Sequence, residues 1–434
     1  MFEKDSFRKK EVRMDLATFL EIPPIKSVSS PSKFSYYKNL QTEANPLHFF
    51  VIGGTYYDKG YAVGFTLGEY LNVFIRNIYR FVSKVGLGVE GNKLNKEKLL
   101  PLAKVIYSNV RYERILELQG FLDGCKHGGH PVEDERDIAM MLAYVELNDA
   151  ACCSTIGVNF PGTTHDTYQI NNLEYPFRFI FLNNPFACTF FPQNEKGERV
   201  DLAYFGLTYA GVPTVLGGMN EKGVSFGTIR SSNLKDPNSM EGTSTFYYMN
   251  DALRLSKDAN EFIEYIKNVK RTNAYFAVIA DSANQKDSLN LCFLGHNIFK
   301  RYLANEMIDQ TILNDLKYGK YFPQENAVYW VDMPVPGIEA GPDKAYHLLK
   351  EQWKNIDNQQ ALAIVKKLAS KYTIMSCVYN TTQQEVFFSF PVKKILAQDR
   401  NYFNLSLKQI FGSYSDFKKG NFSLLESIKN IEIL

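Results

Sequence analysis

The segment Ala151-Cys152-Cys153-Ser154-Thr155-Ile156 carries the most reactive side chains at the most telling place in the chain. A thiol at Cys153, heading a run that reads as a strand, can attack the carbonyl of the residue before it. Water then resolves the thioester, and the bond between Cys152 and Cys153 is cut. Cys153 becomes a new N-terminus, whose α-amino group, with an unperturbed pKa of about 7.7–8.0, can accept the proton of its own thiol. Such chemistry needs no histidine and no cofactor, which suits a chain with only 6 His. The plain alternative is that Cys152 and Cys153 are two small buried hydrophobes, a common fate of unpaired cysteine.

Three other groupings carry less. Cys125, His127 and His130 place a thiol and two imidazoles close together, in principle suited to Zn²⁺. No fourth ligand stands at a standard spacing and the flanking residues are glycines, so no metal site is assigned. His165-Asp166 reads as a turn. Phe177, Phe179, Phe181, Phe186, Phe190 and Phe191 would line a pocket for a fatty acyl or aromatic group, although packing between layers explains them more economically.

The elements that must position Cys153 follow from periodicity. Residues 1–45 are polar, broken by Pro23-Pro24 and a Ser-Pro run, and are expected to form an extension with little regular structure. Phe49–Ile52 reads as a short buried strand. Helices are expected over Tyr61–Val82, over Leu99–Asp123, and after Pro131, where Glu133, Asp134 and Glu135 suit the positive end of a helix. From Cys153 the pattern turns to strands: 153–160, 167–175, 189–192, 200–207, 214–219 and 224–229. Hairpin turns at Asn194-Glu195-Lys196-Gly197 and Asn220-Glu221-Lys222-Gly223 join the last four in pairs. A helical stretch over 247–269 precedes strands at 275–279 and 289–294, and strands at 374–379 and 385–390 come before a tail. Helices followed by many antiparallel strands, with helices again between them, describe an α+β layered fold.

Composition excludes several classes. Hydrophobic residues make up 45% of the 434, enough for a large core, and Lys+Arg of 49 against Asp+Glu of 47 leaves a formal charge of +2. That balance recommends neither nucleic acid nor an anionic membrane as partner. No run is apolar and long enough for a transmembrane helix. The start, Met1-Phe2-Glu3-Lys4-Asp5-Ser6, lacks the apolar core of a secretory signal, so a cytoplasmic location is expected, with export by other routes left open. Six scattered cysteines argue for reduced thiols rather than a disulfide scaffold.

Several blocks resemble the isopenicillin-N acyltransferase-like family and, more distantly, the choloylglycine hydrolase and acid ceramidase group. They are the glycine-rich Gly53–Gly64, the helix Glu117–Gly124, the start Cys153-Ser154-Thr155-Ile156, the strand Gln169–Pro176, the hairpin Gly217-Gly218-Met219-Asn220-Glu221-Lys222-Gly223-Val224 and the closing strand Tyr372–Tyr379. They occur in the family's order between residues 49 and 395. The resemblance implies the four-layer αββα sandwich of the N-terminal-nucleophile hydrolases, with residues 46–152 as a mostly helical pro-segment and 153–434 as the catalytic region. It implies Cys153 as nucleophile, and Glu174, in place of the family's aspartate, as the carboxylate that orients the new amino group. Asn172 would support the strand and pocket, and Asn171, Tyr175 and Phe177 would meet the substrate. Arg230 or Asn233, and Asn314, stand near the positions of the family's oxyanion donors. The implied reaction is hydrolysis of a linear small-molecule amide, or transfer of its acyl group. The two chains of the cut precursor would stay together, and homo-oligomerisation is left open. Loss of the usual Asp, Arg and Asn keeps a second reading alive, a catalytically silent relative acting as a binding or scaffold protein.

Overall fold

The alternation of buried residues resolves into two sheets lying face to face. A computed structural model describes residues 16–21, 28–39, 47–85, 96–140, 152–175, 185–212, 214–230, 241–283, 287–303, 327–332, 342–392 and 395–426. Among these, the larger sheet has nine strands. In spatial order they are β1 (Phe34–Asn39), β2 (His48–Gly54), β5 (Pro185–Pro192), β6 (Tyr204–Tyr209), β7 (Gly217–Asn220), β8 (Ser225–Arg230), β9 (Tyr275–Ala280), β10 (Leu289–Leu294) and β11 (Phe299–Leu303). The smaller sheet runs β12 (Ala327–Asp332), β3 (Cys152–Val158), β4 (Tyr168–Glu174), β13 (Thr373–Asn380), β14 (Glu385–Ser389) and β15 (Phe403–Ser406). Neighbours are antiparallel except β2 and β5, which pair in parallel.

Period-two alternation sorts each strand's side chains between two cores. Ile229, Phe276, Val278, Leu289 and Leu291 of the larger sheet share an inner cluster with Cys153 of the smaller one. Tyr275, Ala277, Ile279 and Cys292 point the other way, against α5 (Thr245–Leu255) and α6 (Ala259–Lys267). On the far side, Ile156, Val158, Ile170 and Val378 pack on α7 (Pro342–Gln352) and α8 (Asn358–Leu368). The order helix, sheet, sheet, helix is the α+β sandwich expected.

Ahead of Cys153, α2 (Tyr56–Val85) and α4 (Tyr112–His127) cover the outer face of the larger sheet. These two helices approach backbone to backbone. A Cβ on Gly64 would lie 2.1 Å from the Phe121 carbonyl oxygen, and one on Gly120 would lie 2.1 Å from that of Tyr57. Glycines four apart, 60, 64 and 68 on α2 and 120 and 124 on α4 with Gly128 capping its end, make this close approach possible. Between them and α5 lies a buried ion network. Lys59 Nζ donates to Glu117 at 2.6 Å, Arg114 to Glu117 at 2.8 Å and to Asp251 at 3.0 Å, and Arg254 contacts Asp251 and Asp201. Burial works against the charged form of Glu117, yet Lys59 and Arg114 hold its carboxyl below the ordinary value.

Several expectations need correction. The stretch before residue 45 contains α1 (Leu16–Leu20) and β1, because Phe34 finds Phe191, Tyr414, Phe417 and Phe422 to pack against. The single helix expected over 99–123 is two, α3 (Lys96–Ser108) and α4. A tight turn at Asn109 and Val110 separates them, with Thr243 donating to the Asn109 carbonyl at 3.1 Å. The stretch 247–269 likewise divides into α5 and α6, the second capped by Asp258, which accepts from Glu261 N at 2.8 Å. The C-terminal tail is no tail: β15, α9 (Leu407–Gly412) and α10 (Tyr414–Lys418) bury Phe403, Leu405, Leu407, Ile410 and Phe417 in the core. No helix among the described residues is long and apolar enough to cross a membrane.

Candidate functional site

Cys153 is the second residue of β3, and the ladder to β4 fixes which groups share its face. Cys153 lies opposite Leu173, Thr155 opposite Asn171, and Gly157 opposite Gln169. Cross-strand partners point the same way, so all six face the other sheet. Cys153 is 1% exposed and packs with Ile229, Phe276 and Phe293. One pleat further in, the surroundings become polar. Gln169 Nε2 donates to Thr155 Oγ1 at 3.0 Å, and the Asn171 amide lies beside the Cys377 thiol, its register partner on β13. Burial pushes that thiol up to about 12, with Tyr379 and Asn171 acting against the shift. Gly227 gives these side chains room; a Cβ there would lie 2.2 Å from Gln169 Nε2 and 2.5 Å from Thr155 Oγ1. The carbonyl oxygens of the Gln169 and Asn171 side chains are buried and have no hydrogen-bond partner among the described residues.

The intervening residues face α7 and α8. Asn172 Nδ2 donates to the Val365 carbonyl at 3.0 Å, and its Oδ1 accepts from Ser376 Oγ at 2.6 Å, so it ties β4 both to α8 and to β13. Glu174, in register with Cys152, is 1% exposed. Its Oε1 accepts from Ser370 N–H and Thr373 Oγ, each at 3.0 Å. Its Oε2 is buried with no partner among the described residues. Burial pushes this carboxyl up to about 7, against the hydrogen bonds of Thr373 and Ser370 and the charge of Lys344.

The sequence-derived residues therefore separate. Cys153 and Asn171 share the inner face, whereas Asn172 and Glu174 stand on the outer face, with Glu174 beside the bond that would be cut. Arg230 is 4% exposed and lies in register with Tyr275, on the face of β8 turned away from Cys153; Ile229 occupies the near face. Alternation along β8 thus sets the Arg230 side chain away from the position an oxyanion donor would need. Tyr175 is buried in the inner core just beyond β4. Asn233, Asn314 and Phe177 lie outside the described residues, as does the side chain of Cys152.

Cys125, His127 and His130 do not converge. Cys125 is buried against Gly68, burial pushes its thiol up to about 12, and His127 Nδ1 pairs with Tyr61 OH at 3.2 Å. No group of three His, Cys, Asp or Glu among the described residues could hold a metal ion. Phe186, Phe190 and Phe191 are core residues around β5.

Two contributors escape sequence reasoning. Thr373 and Ser370 hold the carboxylate, and nothing in their spacing announces it. In the Gly217–Val224 hairpin, Asn220 plays a structural role. Its Nδ2 donates to the carbonyls of Leu253 and Ser256 at 2.7 Å each, and its Oδ1 accepts from Lys222 N and Val224 N. The motif residue therefore fastens the β7–β8 turn to the end of α5, and its signal was the turn sequence itself.

No protein-family model matches the sequence, nor does any curated protein. Among solved structures, the chain is similar to an N-acylethanolamine-hydrolyzing acid amidase ortholog from Caenorhabditis elegans, at 15% identity and a TM-score of 0.39, covering 53% of this chain and 93% of that one. It is similar to a variant of the conjugated bile acid hydrolase from Clostridium perfringens, at 13% identity, TM-score 0.38, 59% and 93% coverage. Penicillin V acylase from Agrobacterium tumefaciens gives 12% identity, TM-score 0.36, 59% and 92% coverage. None of these likenesses is strong enough to assign a family.

Proposed function

We propose that this chain is a cysteine amidohydrolase or acyltransferase of the N-terminal-nucleophile kind, matured by self-cleavage between Cys152 and Cys153. The observation that carries the reading is the pairing of Glu174 with residue 152. A buried carboxylate with one oxygen satisfied and the other without a partner among the described residues stands in register with the bond whose cleavage would create an ammonium group. An isolated buried carboxylate is costly, and an amino group formed next to it would supply the missing partner.

In the proposed sequence, the Cys153 thiol adds to the Cys152 carbonyl, the peptide nitrogen leaves with a proton as the α-amino group, and water hydrolyses the thioester to free both the Cys152 carboxylate and the thiol. The mature thiol, deprotonated by its own amino group, would then attack the carbonyl of a linear amide and release the amine. Water or an acceptor amine would discharge the acyl-enzyme. Asn171 lies one pleat along on the face of Cys153 and offers a side-chain amide on the thiol's side of the sheet. Asn233 and Asn314 remain the proposed oxyanion donors, and Phe177 and Tyr175 the proposed substrate contacts. No cofactor is required. The ion network joins Lys59 and Arg114, ahead of the cut, to Asp251 and Arg254 beyond it, and β2 pairs with β5 across it. These contacts support the proposal that the two pieces stay associated.

Intact mass of the purified full chain tests the reading. Two fragments divided before Cys153 are expected, with a single uncut chain for Cys153→Ala. Wild-type protein that stays whole and leaves Cys153 unlabelled by thiol-directed acyl probes would instead favour the silent binding protein.

A further inference from the structure

The ladder between β4 and β13 contains one irregularity, and it falls at Glu174. From Tyr379 opposite Gln169 to Met375 opposite Leu173 the pairs advance one for one, but the next pair is Thr373 opposite Glu174. Ile374 is the inserted residue. Had the ladder continued unbroken, Ile374 would face Glu174 and offer the carboxylate only methyl groups. The insertion instead sends Ile374 into the inter-sheet core, where it is 2% exposed. The Thr373 hydroxyl and the Ser370 N–H are thereby brought to Oε1 at 3.0 Å each. Ser370 N also donates to Thr373 Oγ1 at 2.8 Å, and Thr373 N donates back to the Ser370 carbonyl at 3.1 Å, so the turn is closed on itself.

A bulge displaces a carbonyl from the ladder, and a buried carbonyl needs a donor. The Ile374 carbonyl accepts from the hydroxyl of Tyr209, on β6 of the opposite sheet. Tyr209 is 1% exposed, and its ring meets Phe390 edge-on at 5.4 Å. One hydroxyl from the larger sheet thus secures an irregularity in the smaller one.

We infer that Tyr209, the Ile374 bulge and Thr373 form a positioning relay that aims Glu174. The relay occupies Oε1 and leaves Oε2 without a partner among the described residues, with residue 152 in register across the ladder. This inference deepens the proposed function and rests on its assignment of Glu174 to the new amino group. Tyr209 and Thr373 are positioning residues: neither is placed to touch the thiol or a substrate. Among the described residues, the groups that face Glu174 are Thr373 from β13, Ser370 from the turn before it, Lys344 from α7, and residue 152 from β3.

The test reads the carboxyl directly. In the full-length Cys153→Ala chain, carbon-13-labelled Glu174 is titrated by NMR, with Glu174→Gln identifying its signal. Each hydrogen bond favours the carboxylate, so Thr373→Val is expected to raise the midpoint by about one pH unit, a typical size for one hydrogen bond to a charged group. Thr373→Ser should restore it. Tyr209→Phe, which keeps the ring, should raise it by a smaller amount. Midpoints unchanged in both Thr373→Val and Tyr209→Phe would overturn the relay. Separately, Glu174→Gln in the otherwise natural chain should slow the appearance of the cut fragments at least about tenfold, the equivalent of one lost pH unit of interaction. Cleavage at the natural rate would overturn the assignment of Glu174 to the amino group, whatever the titration shows.

Discussion

The protein buries charge on both outer flanks of its sandwich, and the two flanks treat it differently. Under α2 and α4, Lys59, Arg114 and Arg254 each contact a carboxylate, and those contacts span distant parts of the chain. Under α7 and α8, Glu174 has, among the described residues, only a hydroxyl and a backbone N–H, both on one oxygen. The first arrangement is self-compensating, so it can hold elements together without perturbing any group's usual charge. The second leaves a carboxyl poised near neutrality. A buried group with a shifted ionisation and an open coordination position is where function is to be sought; a closed network is where stability is.

The largest effect expected from this contrast is on the closed side. Arg114→Met leaves Asp251 to Arg254 alone and Glu117 to Lys59 alone, and should cost about 3 kcal/mol, read by urea unfolding of the Cys153→Ala chain. A loss below about 1 kcal/mol would mean that water replaces the arginine and that the network is not closed.

Asn220 lies between the two cases, neutral but with all its bonding capacity used. Asn220→Ala leaves two carbonyls and two N–H groups short of a partner and should cost about 3 kcal/mol by the same measurement.

Glu174→Gln should show its effect mainly in pH dependence. Because the folded-state carboxyl titrates near 7, above its ordinary range, the folded chain holds a proton that the unfolded chain has lost between those two values. Stability conferred through this group is therefore full at low pH, falls as pH rises toward 7, and is flat above. The Cys153→Ala chain should lose roughly 2–3 kcal/mol between pH 5 and pH 8 from this source, and Glu174→Gln should flatten that slope. An unchanged slope would show that Glu174 is compensated after all.

Lys33 gives the smallest effect. It approaches Asp58 at 3.7 Å but is 58% exposed, and Asp58 already accepts from Ser30 N and Thr55 N. Lys33→Ala should change stability by less than about 0.5 kcal/mol in the same unfolding assay.

Much of the strand pattern was legible because strands buried on both faces read as short apolar runs bounded by turn residues. Cys153 at the head of β3, the Gly217–Val224 hairpin and β10 all follow from local signals. Others were not. Phe34 and Tyr36 on β1 look like isolated aromatics in a polar stretch until the chain's far end supplies Tyr414 and Phe422. The break at Asn109 interrupts no apolar period, and a contact from Thr243 accompanies it. The four-residue glycine spacing of α2 and α4 was visible but is uninformative until both helices are known to meet.

By itself, the sequence determined the α+β class, the position of the thiol at a strand start and the turn chemistry of the hairpins, because each depends on residues close together in the chain. Only the tertiary structure decided which face each candidate occupies. A one-residue change of register exchanges the two faces of a strand, and register is set by partners far away. That is why Arg230 turned away from Cys153, and why Thr373, part of the closing block but with no role legible there, came to hold Glu174.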